Sequence, residues 1–162
     1  MKDENPIDES ILDYQEPEAA TAEGTDFETV WGKLPSSRWR NVGRMFQLKI
    51  VDDTTAITTG DGQLVFMIPP ELDGAMLVRA EAFVSTASSS GAPAIQVRNI
   101  TQSLDVLSTA ITIDANEKTS LTAATKPVIK PTVIFRSGDL IAIDIDTAGT
   151  GAKGLGVQLS FQ

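Results

Sequence analysis

The fold is decided by residues 133–161, which read VIFRSGDLIAIDIDTAGTGAKGLGVQLSF. Two runs in this stretch alternate between apolar and polar side chains. Residues 141–146 place isoleucine at every second position, and residues 155–161 do the same with leucine, valine and phenylalanine. A period of two with β-branched residues is typical of a half-buried strand. Between the runs, the glycine-rich residues 147–154 allow the chain to reverse, so the stretch predicts a long antiparallel hairpin with one face in solvent.

The same β pattern extends back to about residue 42. Turn-forming residues punctuate it, as in TTGDG at 58–62, PPELDG at 69–74 and SSSG at 88–91. Eight strands with no helix between them predict an all-β domain over residues 42–162, an antiparallel β-sandwich that is jelly-roll-like. An immunoglobulin-like sandwich is the alternative. The predicted strands are 43–51, 62–68, 75–85, 93–101, 103–113, 127–136, 139–147 and 153–161.

Two of these strands carry further detail. In 75–85, alternation places Met76, Val78 and Ala80 on one face of the strand. In 103–113, the apolar phase slips between Leu107 and Thr109, which predicts a β-bulge. Residues 114–125 fit either a polar turn with a short strand or a single helical turn.

The chain has no cysteine and no histidine. This excludes disulfides and thiolate chemistry, and it removes the commonest general base and metal ligand. The one tyrosine, Tyr14, lies outside the predicted domain. We therefore expect no enzyme activity, no cofactor and no essential metal. No apolar run approaches the roughly 20 residues that span a bilayer, and the acidic N-terminus does not resemble a signal peptide, so we expect no membrane association.

The negative charge is concentrated at one end of the chain. Residues 1–30 contain ten Asp or Glu and one lysine, which accounts for the whole net charge of −9, while the remaining charges cancel. Such asymmetry is typical of an interaction tail. Its sign argues against nucleic acid as a partner, because nucleic acids are bound by basic patches.

Residues 1–41 are predicted to be an acidic arm followed by a basic linker, disordered until docked, because the arm is poor in aliphatic residues. Two short apolar groups in the arm have helical spacing and helix-start signals, and the linker places a tryptophan between two arginines. A solvated tail with stray apolar residues is the alternative. The predicted partner-binding residues are Ile7, Ile11 and Leu12 in the first group, Phe27, Val30 and Trp31 in the second, and Arg38, Trp39 and Arg40 in the linker.

Two patterns in the body are candidates for chemistry. Residues 149–154 match G-x-G-x-x-G, but a nucleotide-binding loop of this kind must open a helix, and here a strand is predicted to follow. Asp139, Asp144 and Asp146 form the densest acidic group, and the last two share one strand face. They could bind a cation such as Ca²⁺ or act as a glycosidase pair. The alternative, which we prefer, is a solvated outer face.

The C-terminal part of the chain resembles a β-sandwich domain found in structural proteins of tailed bacteriophages and prophages. The similar segments are 107–109, 111–113, 114–117, 138–139 and 148–155, with weaker likeness back to the turn at 59–62. The resemblance implies a non-enzymatic, jelly-roll-like virion protein of the head decoration, head fibre, or neck and tail appendage type.

On this resemblance, the chain is expected to be a virion component that is assembled in the cytoplasm of a bacterial host. Its arm would anchor it to capsid, portal, neck or tail proteins, and it would form a homo-oligomer, either a trimer or a higher ring. The alternative function is a receptor- or glycan-binding adhesin domain of a phage fibre or tail tip. Exposed aromatic residues lining a pocket would favour the adhesin.

Overall fold

The computed structural model describes residues 44–162, whose regular secondary structure consists almost entirely of antiparallel strands. A single turn of 3₁₀ helix, Pro70–Leu72, is the exception. No helix within these residues has the length and apolarity to cross a membrane. The strands are β1 Arg44–Lys49, β2 Gly60–Met67, β3 Leu77–Thr86, β4 Ala94–Asn99, β5 Leu104–Asp105, β6 Leu107–Thr109, β7 Ile111–Thr112, β8 Val128–Ile129, β9 Leu140–Thr147 and β10 Lys153–Phe161.

The strands form two main sheets. The smaller sheet has the order β1-β10-β3, and the larger has the order β2-β9-β4-β5, with β7 also paired to β4. β6 and β8 form a separate two-stranded ladder. The first strand thus pairs with the last and the second with the last but one, which is the order of a hairpin rolled into a jelly roll. The predicted antiparallel β-sandwich is confirmed, and the order differs from that of an immunoglobulin-like sandwich.

The predicted hairpin of β9 and β10 is wrong. β9 lies between β2 and β4 in the larger sheet, whereas β10 lies between β1 and β3 in the smaller one. Both edges of each strand are therefore occupied, and residues 148–152 cross from one sheet to the other. The expected solvent face of β9 is also partly buried, because Ala142 is flanked by Val65 and Arg98 on the neighbouring strands and is only 2% exposed.

One apolar core contains side chains of both main sheets. The alternating isoleucines of β9 and the alternating apolar residues of β10 are all buried, as their period of two predicts. Phe46 of β1 stacks on Phe66 of β2 with 6.3 Å between ring centroids, and it meets Phe161 edge-on at 5.7 Å. Phe135 meets Phe161 edge-on at 5.2 Å. Such pairs contribute about 0.5–1.5 kcal/mol each beyond their buried area.

Two predicted strands are shorter than expected. The segment 127–136 contains only the two residues of β8, because Pro127 and Pro131 on either side have no N–H to donate to a ladder. The segment 103–113 divides into β5, β6 and β7. A register shift between Leu107 and Thr109 confirms the predicted bulge. Residues 114–125 form no strand or helix and contribute one isolated bridge, from Thr119 to Phe83.

The predicted phase of β3 is wrong at its start. Leu77 is buried and Val78 is exposed, although alternation placed Val78 on the face of Ala80. The cause is a register shift beside Ser160 and Phe161 of β10, which inserts one extra residue into β3. From Ala80 onward the predicted phase holds.

Candidate functional site

The glycine-rich turn between β9 and β10 joins two loops of the fold. The amide of Thr150 donates to Ser88 Oγ and to Ser90 O, both at 2.9 Å. Gly149 has a φ of +70°, and a Cβ there would lie 3.0 Å from the carbonyl oxygen of Gly91. Two of the connections that cross between the main sheets, β3 to β4 and β9 to β10, are thus bound to each other. A strand follows the turn, as predicted, so the helix that a nucleotide-binding loop requires is not formed here.

Asp139 is a buried carboxylate, only 4% exposed, at the start of β9. Its Oδ2 accepts hydrogen bonds from Asn99 Nδ2 at 2.8 Å, from Gln102 Nε2 at 2.6 Å and from the backbone N–H of Arg136 at 3.0 Å. Burial alone would raise the pKa of Asp139. The three donors and the charge of Arg136 outweigh burial and hold the pKa below its ordinary value. Because all these donors belong to the protein, the carboxylate has a structural role.

Asp144 and Asp146 share the outer face of β9, as predicted, but their environments differ. Asp144 is buried, and its Oδ1 accepts the backbone N–H of Gly62 at 2.6 Å. Asp146 is exposed, and its pKa is raised first by partial burial and then by the negative charges of Asp144, Asp105 and Asp61. We call these four carboxylates the acidic end of the larger sheet. Asp139 lies at the opposite end of β9 and does not belong to this group.

The acidic end gives no support to a cation site. Within residues 44–162, no three or more acidic, histidine or cysteine side chains are arranged to hold a metal ion. The buried Asp144 is engaged by a backbone amide, and Asp146 faces other carboxylates. The preferred interpretation, a solvated outer face, holds for Asp146 but is wrong for Asp144, which is buried because a neighbouring backbone amide binds its carboxylate. A calcium site needs six or more oxygen ligands.

A surface cleft of about 360 Å³ lies along the free edge of β3. Within it, Arg79 and Glu81 are paired with each other at 2.7 Å. Val78 and Leu121 line it in exposed positions. None of the lining residues is aromatic. They are Val78, Arg79, Ala80 and Glu81 of β3, and Ser120, Leu121, Lys126, Pro127 and Ile129 from the segment that faces it.

The free edge of β3 is only partly covered by this segment. Val84 N donates to Lys118 O at 2.9 Å, and Ala82 O accepts from Ser120 N at 2.9 Å. Ala82 N donates to Ser120 Oγ at 2.9 Å. In an antiparallel strand every second residue directs its N–H and C=O to the same edge, so Ala80 directs both groups there too. Residues 44–162 supply partners for Ala82 and Val84 at this edge but none for Ala80.

The segment that faces β3 is basic. Residues 118–130 contain Lys118, Lys126 and Lys130 and no acidic residue. The Lys126 ammonium donates to the carbonyl oxygens of Leu121 and Ser120, which holds it at the rim of the cleft. The cleft therefore joins a lining of mixed polar and apolar side chains, the unpaired backbone groups of Ala80 and the charge of Lys126.

The predicted partner-binding residues lie outside the described residues, and so does the predicted domain boundary at residue 42. The residues concerned are Ile7, Ile11, Leu12, Phe27, Val30, Trp31, Arg38, Trp39 and Arg40.

Sequence reasoning missed the cleft because it took residues 127–136 for a full strand. Two signals could have revealed it. The prolines at 127 and 131 limit the strand to two residues, and residues 118–130 contain three lysines and no acidic residue, although Glu117 directly precedes them.

Comparisons with protein families, with curated proteins and with solved structures returned no match for this chain. The functional argument therefore rests on the geometry of the sandwich and on the sequence.

Proposed function

We propose that this protein is a non-enzymatic structural component of a tailed-phage virion, a head or neck decoration protein or an appendage, whose N-terminal arm anchors it to neighbouring virion proteins. One observation carries the proposal. The described residues form a jelly-roll-like sandwich, and residues 1–30, which we take as an N-terminal arm, account for the whole net negative charge. Jelly rolls recur in viral capsid proteins, and a charged arm is suited to docking on an oppositely charged surface.

Two further points support the proposal. The buried carboxylates Asp139 and Asp144 accept hydrogen bonds from the protein itself, which is the use expected in a structural domain. The resemblance of residues 107–117 and 138–155 to phage structural domains points in the same direction. On this proposal the protein forms a homo-oligomer, a trimer or higher ring, on the particle.

The adhesin alternative would draw on the fact that jelly rolls also occur in lectins. A glycan platform needs exposed aromatic side chains beside polar ones. The cleft along β3 has none among its lining residues, so no observation on the described part of the chain favours this alternative.

The test is to measure the protein in purified phage particles by quantitative mass spectrometry. We expect the wild-type chain to be present and the double variant Phe27→Ala, Trp31→Ala to be lost from particles, because two large aromatic anchors contribute much of the docking energy. Charge reversal at Asp3 or Glu4 is the control and should change incorporation far less. Particles without the wild-type chain would refute the proposal. If the double variant is incorporated at the wild-type level, Phe27 and Trp31 do not anchor the arm, and Ile7, Ile11 and Leu12 become the next candidates.

A further inference from the structure

β2 is an edge strand of the larger sheet, and one of its two sides is free. It pairs only with β9, and no other strand within residues 44–162 lies along its far side. The backbone of Ile68 donates to and accepts from residues 138–139, at the start of β9. Because backbone direction alternates along a strand, Phe66 faces β9 as well, whereas Val65 and Met67 direct their N–H and C=O groups away from the sheet. No hydrogen bond among the described residues reaches these outward groups.

This edge lacks the features that keep sheet edges apart in folded proteins. Exposed edges usually carry charged residues or proline, are very short, or are distorted by a bulge. Residues 64–67 read LVFM, without a charge or a proline, and the irregular register of β2 is confined to residues 60–64. On the outer face, Val65 and Met67 are 48% and 61% exposed. The second half of β2 is therefore a regular, apolar and open edge.

The other edges of the two main sheets are protected. β1 carries Arg44 and Lys49 at its two ends. The outer edge of β3 is hydrogen-bonded in part to residues 118–120. In the larger sheet, the edge opposite β2 is formed by β5, which has only two residues. Among the described strands, β2 is thus the long edge that is open to pairing.

The side of the sandwich that contains β2 is apolar through its depth. β1 forms the edge of the smaller sheet on this same side, because Phe46 of β1 stacks on Phe66 of β2. Both rings are only half-buried, and so are Leu48 and Leu64, two positions along the same strands. We call the surface between the two edges the open side. A contiguous apolar surface of this kind is typical of an interaction site.

We propose that the open side binds a second copy of this chain, so that the two β2 strands pair antiparallel and the two larger sheets join about a two-fold axis beside Val65. In this arrangement Val65 lies opposite its counterpart, and the two exchange backbone hydrogen bonds. An antiparallel edge is complementary to itself under a two-fold rotation, so a second copy supplies both the backbone groups and the apolar cover. The inference does not depend on the proposed function. A two-fold contact joins copies in pairs, and it is separate from any contact that closes a ring.

The charges along the open side favour a two-fold partner. Arg44 lies beside the end of β10, and Asp61 lies beside the end of β9. Residues 148–152 connect the end of β9 to the start of β10, so Arg44 and Asp61 are at opposite ends of the open side. Neither forms an ion pair within the part of the chain that the structure describes. A two-fold axis across the strands exchanges the two ends and brings the Arg44 end of each copy to the Asp61 end of the other, where it offsets the repulsion among the carboxylates of the acidic end.

The size of the open side indicates a weak dimer. The eight residues of β2 extend about 27 Å, and the sandwich is about 20 Å thick once outer side chains are added to the spacing of about 10 Å between sheets. The contact therefore covers about 500 Å² on each copy, or about 1,000 Å² in total, which is the lower limit for a specific interface. We expect a dissociation constant of roughly 1–100 μM.

Sedimentation of the full-length protein over a range of concentrations tests the contact. Val65→Lys places two ammonium groups opposite each other across the axis and should raise the dissociation constant at least about tenfold. At low concentration its melting temperature should match that of the wild type, because Val65 is exposed in a single copy. The matched control is Val78→Lys on β3, since Val78 is also 48% exposed. It should leave the dissociation constant nearly unchanged.

An engineered cysteine locates the axis, because the chain has no cysteine of its own. Under mild oxidation, full-length Val65→Cys protein should form disulfide-linked homodimers several-fold faster than full-length Val78→Cys protein. Only the residue at 65 lies opposite its counterpart in the proposed pair. This measurement also decides the question if Val65→Lys disturbs the fold.

Charge exchange tests the orientation of the two copies. Arg44→Glu and Asp61→Arg should each weaken the dimer roughly two- to fivefold, the range of an exposed charge pair. The two substitutions in one chain should restore the wild-type affinity, because each copy then presents the reversed charges at both ends. Lys118→Glu, at an exposed lysine beside β3, is the control and should have little effect.

Three outcomes would overturn the proposal. The first is a full-length chain that stays monomeric up to about 1 mM, since the edge of β2 would then be covered within one copy. The second is an equal effect of Val65→Lys and Val78→Lys on the dissociation constant. The third is an equal rate of cross-linking for the two cysteine variants. Because only purified protein is used, these outcomes are independent of the particle measurement.

Discussion

At the scale of single residues, the carboxylate of Asp139 joins three parts of the chain. Its donors are Asn99 at the end of β4, Gln102 in the turn that follows, and Arg136 just before Asp139 itself. All three bonds end on one ionised oxygen, Oδ2. Hydrogen bonds to a charged acceptor are stronger than those between neutral groups, so the ionised state of this side chain stabilises the entrance to β9.

We expect Asp139→Asn to lower the free energy of unfolding by about 1–3 kcal/mol at pH 7, because an amide turns its own N–H groups toward buried donors. The pKa of Asp139 is lowered in the folded protein. Its ionisation therefore stabilises the fold fully above the unfolded-state pKa of about 3.9, and this stabilisation is lost as the pH falls through the folded-state pKa.

Urea unfolding of both proteins at pH 7 and pH 3 checks this expectation. The difference between wild type and variant should shrink at pH 3. Asp52→Asn, at an exposed position, is the control and should change stability little at either pH. If wild type and variant differ in the free energy of unfolding by the same amount at both pH values, the charge of Asp139 does not stabilise the fold.

At the scale of secondary structure elements, β10 is held between two strands of the smaller sheet, and one of its two glycines, Gly156, has a packing role. Gly156 lies opposite Phe83 of β3. The ring of Phe83 lies over Gly156, in the space that a side chain at 156 would occupy. A glycine inside a strand ordinarily weakens it, and an aromatic ring from the next strand compensates by covering the bare backbone.

We expect Gly156→Ala to destabilise the sandwich by about 1–3 kcal/mol, because the new methyl group displaces the Phe83 ring. In a Phe83→Ala background the same substitution should cost less than about 0.5 kcal/mol, since the obstruction is gone. Chemical denaturation of the four proteins in this double-mutant cycle gives the interaction energy directly. Additive effects of the two substitutions would show that the ring does not fill the space above Gly156.

The elements also show what a sequence can and cannot predict. The period of two identified β9 and β10 and their inward faces correctly, because that pattern is local. It could not identify their partners, since β1, β2, β3 and β4 lie far away in sequence and residues 147–154 permit either a hairpin or a crossing. The donors of Asp139 come from separate segments, so its role could not be predicted. The cleft exists because β8 does not pair with β3. No local sequence pattern indicates whether two strands that are distant in the chain pair with each other.

At the scale of the whole molecule, charge is sorted into separate regions. Residues 1–30 carry the whole net negative charge, Lys118 and Lys126 lie along the outer edge of β3, and four carboxylates form the acidic end of the larger sheet. The surface of the sandwich is therefore electrostatically asymmetric. A negatively charged segment is attracted to one side of it and repelled from the other. A protein that assembles in a fixed orientation benefits from this arrangement.

The last prediction is that residues 42–162 fold without the arm. Among the described residues, the buried core is formed by side chains within residues 57–161, and Phe46 and Leu48 of β1 pack against it; we expect the sandwich to enclose this core without the arm. A fragment beginning at Val42 should be soluble, give a β-type far-UV spectrum and melt cooperatively. If arms dock on neighbouring copies, the melting temperature of the full chain should rise with protein concentration while that of the fragment stays constant. A fragment that is unfolded or aggregated would show that the arm completes the core. If the melting temperatures of both proteins rise equally with protein concentration, the sandwich itself self-associates.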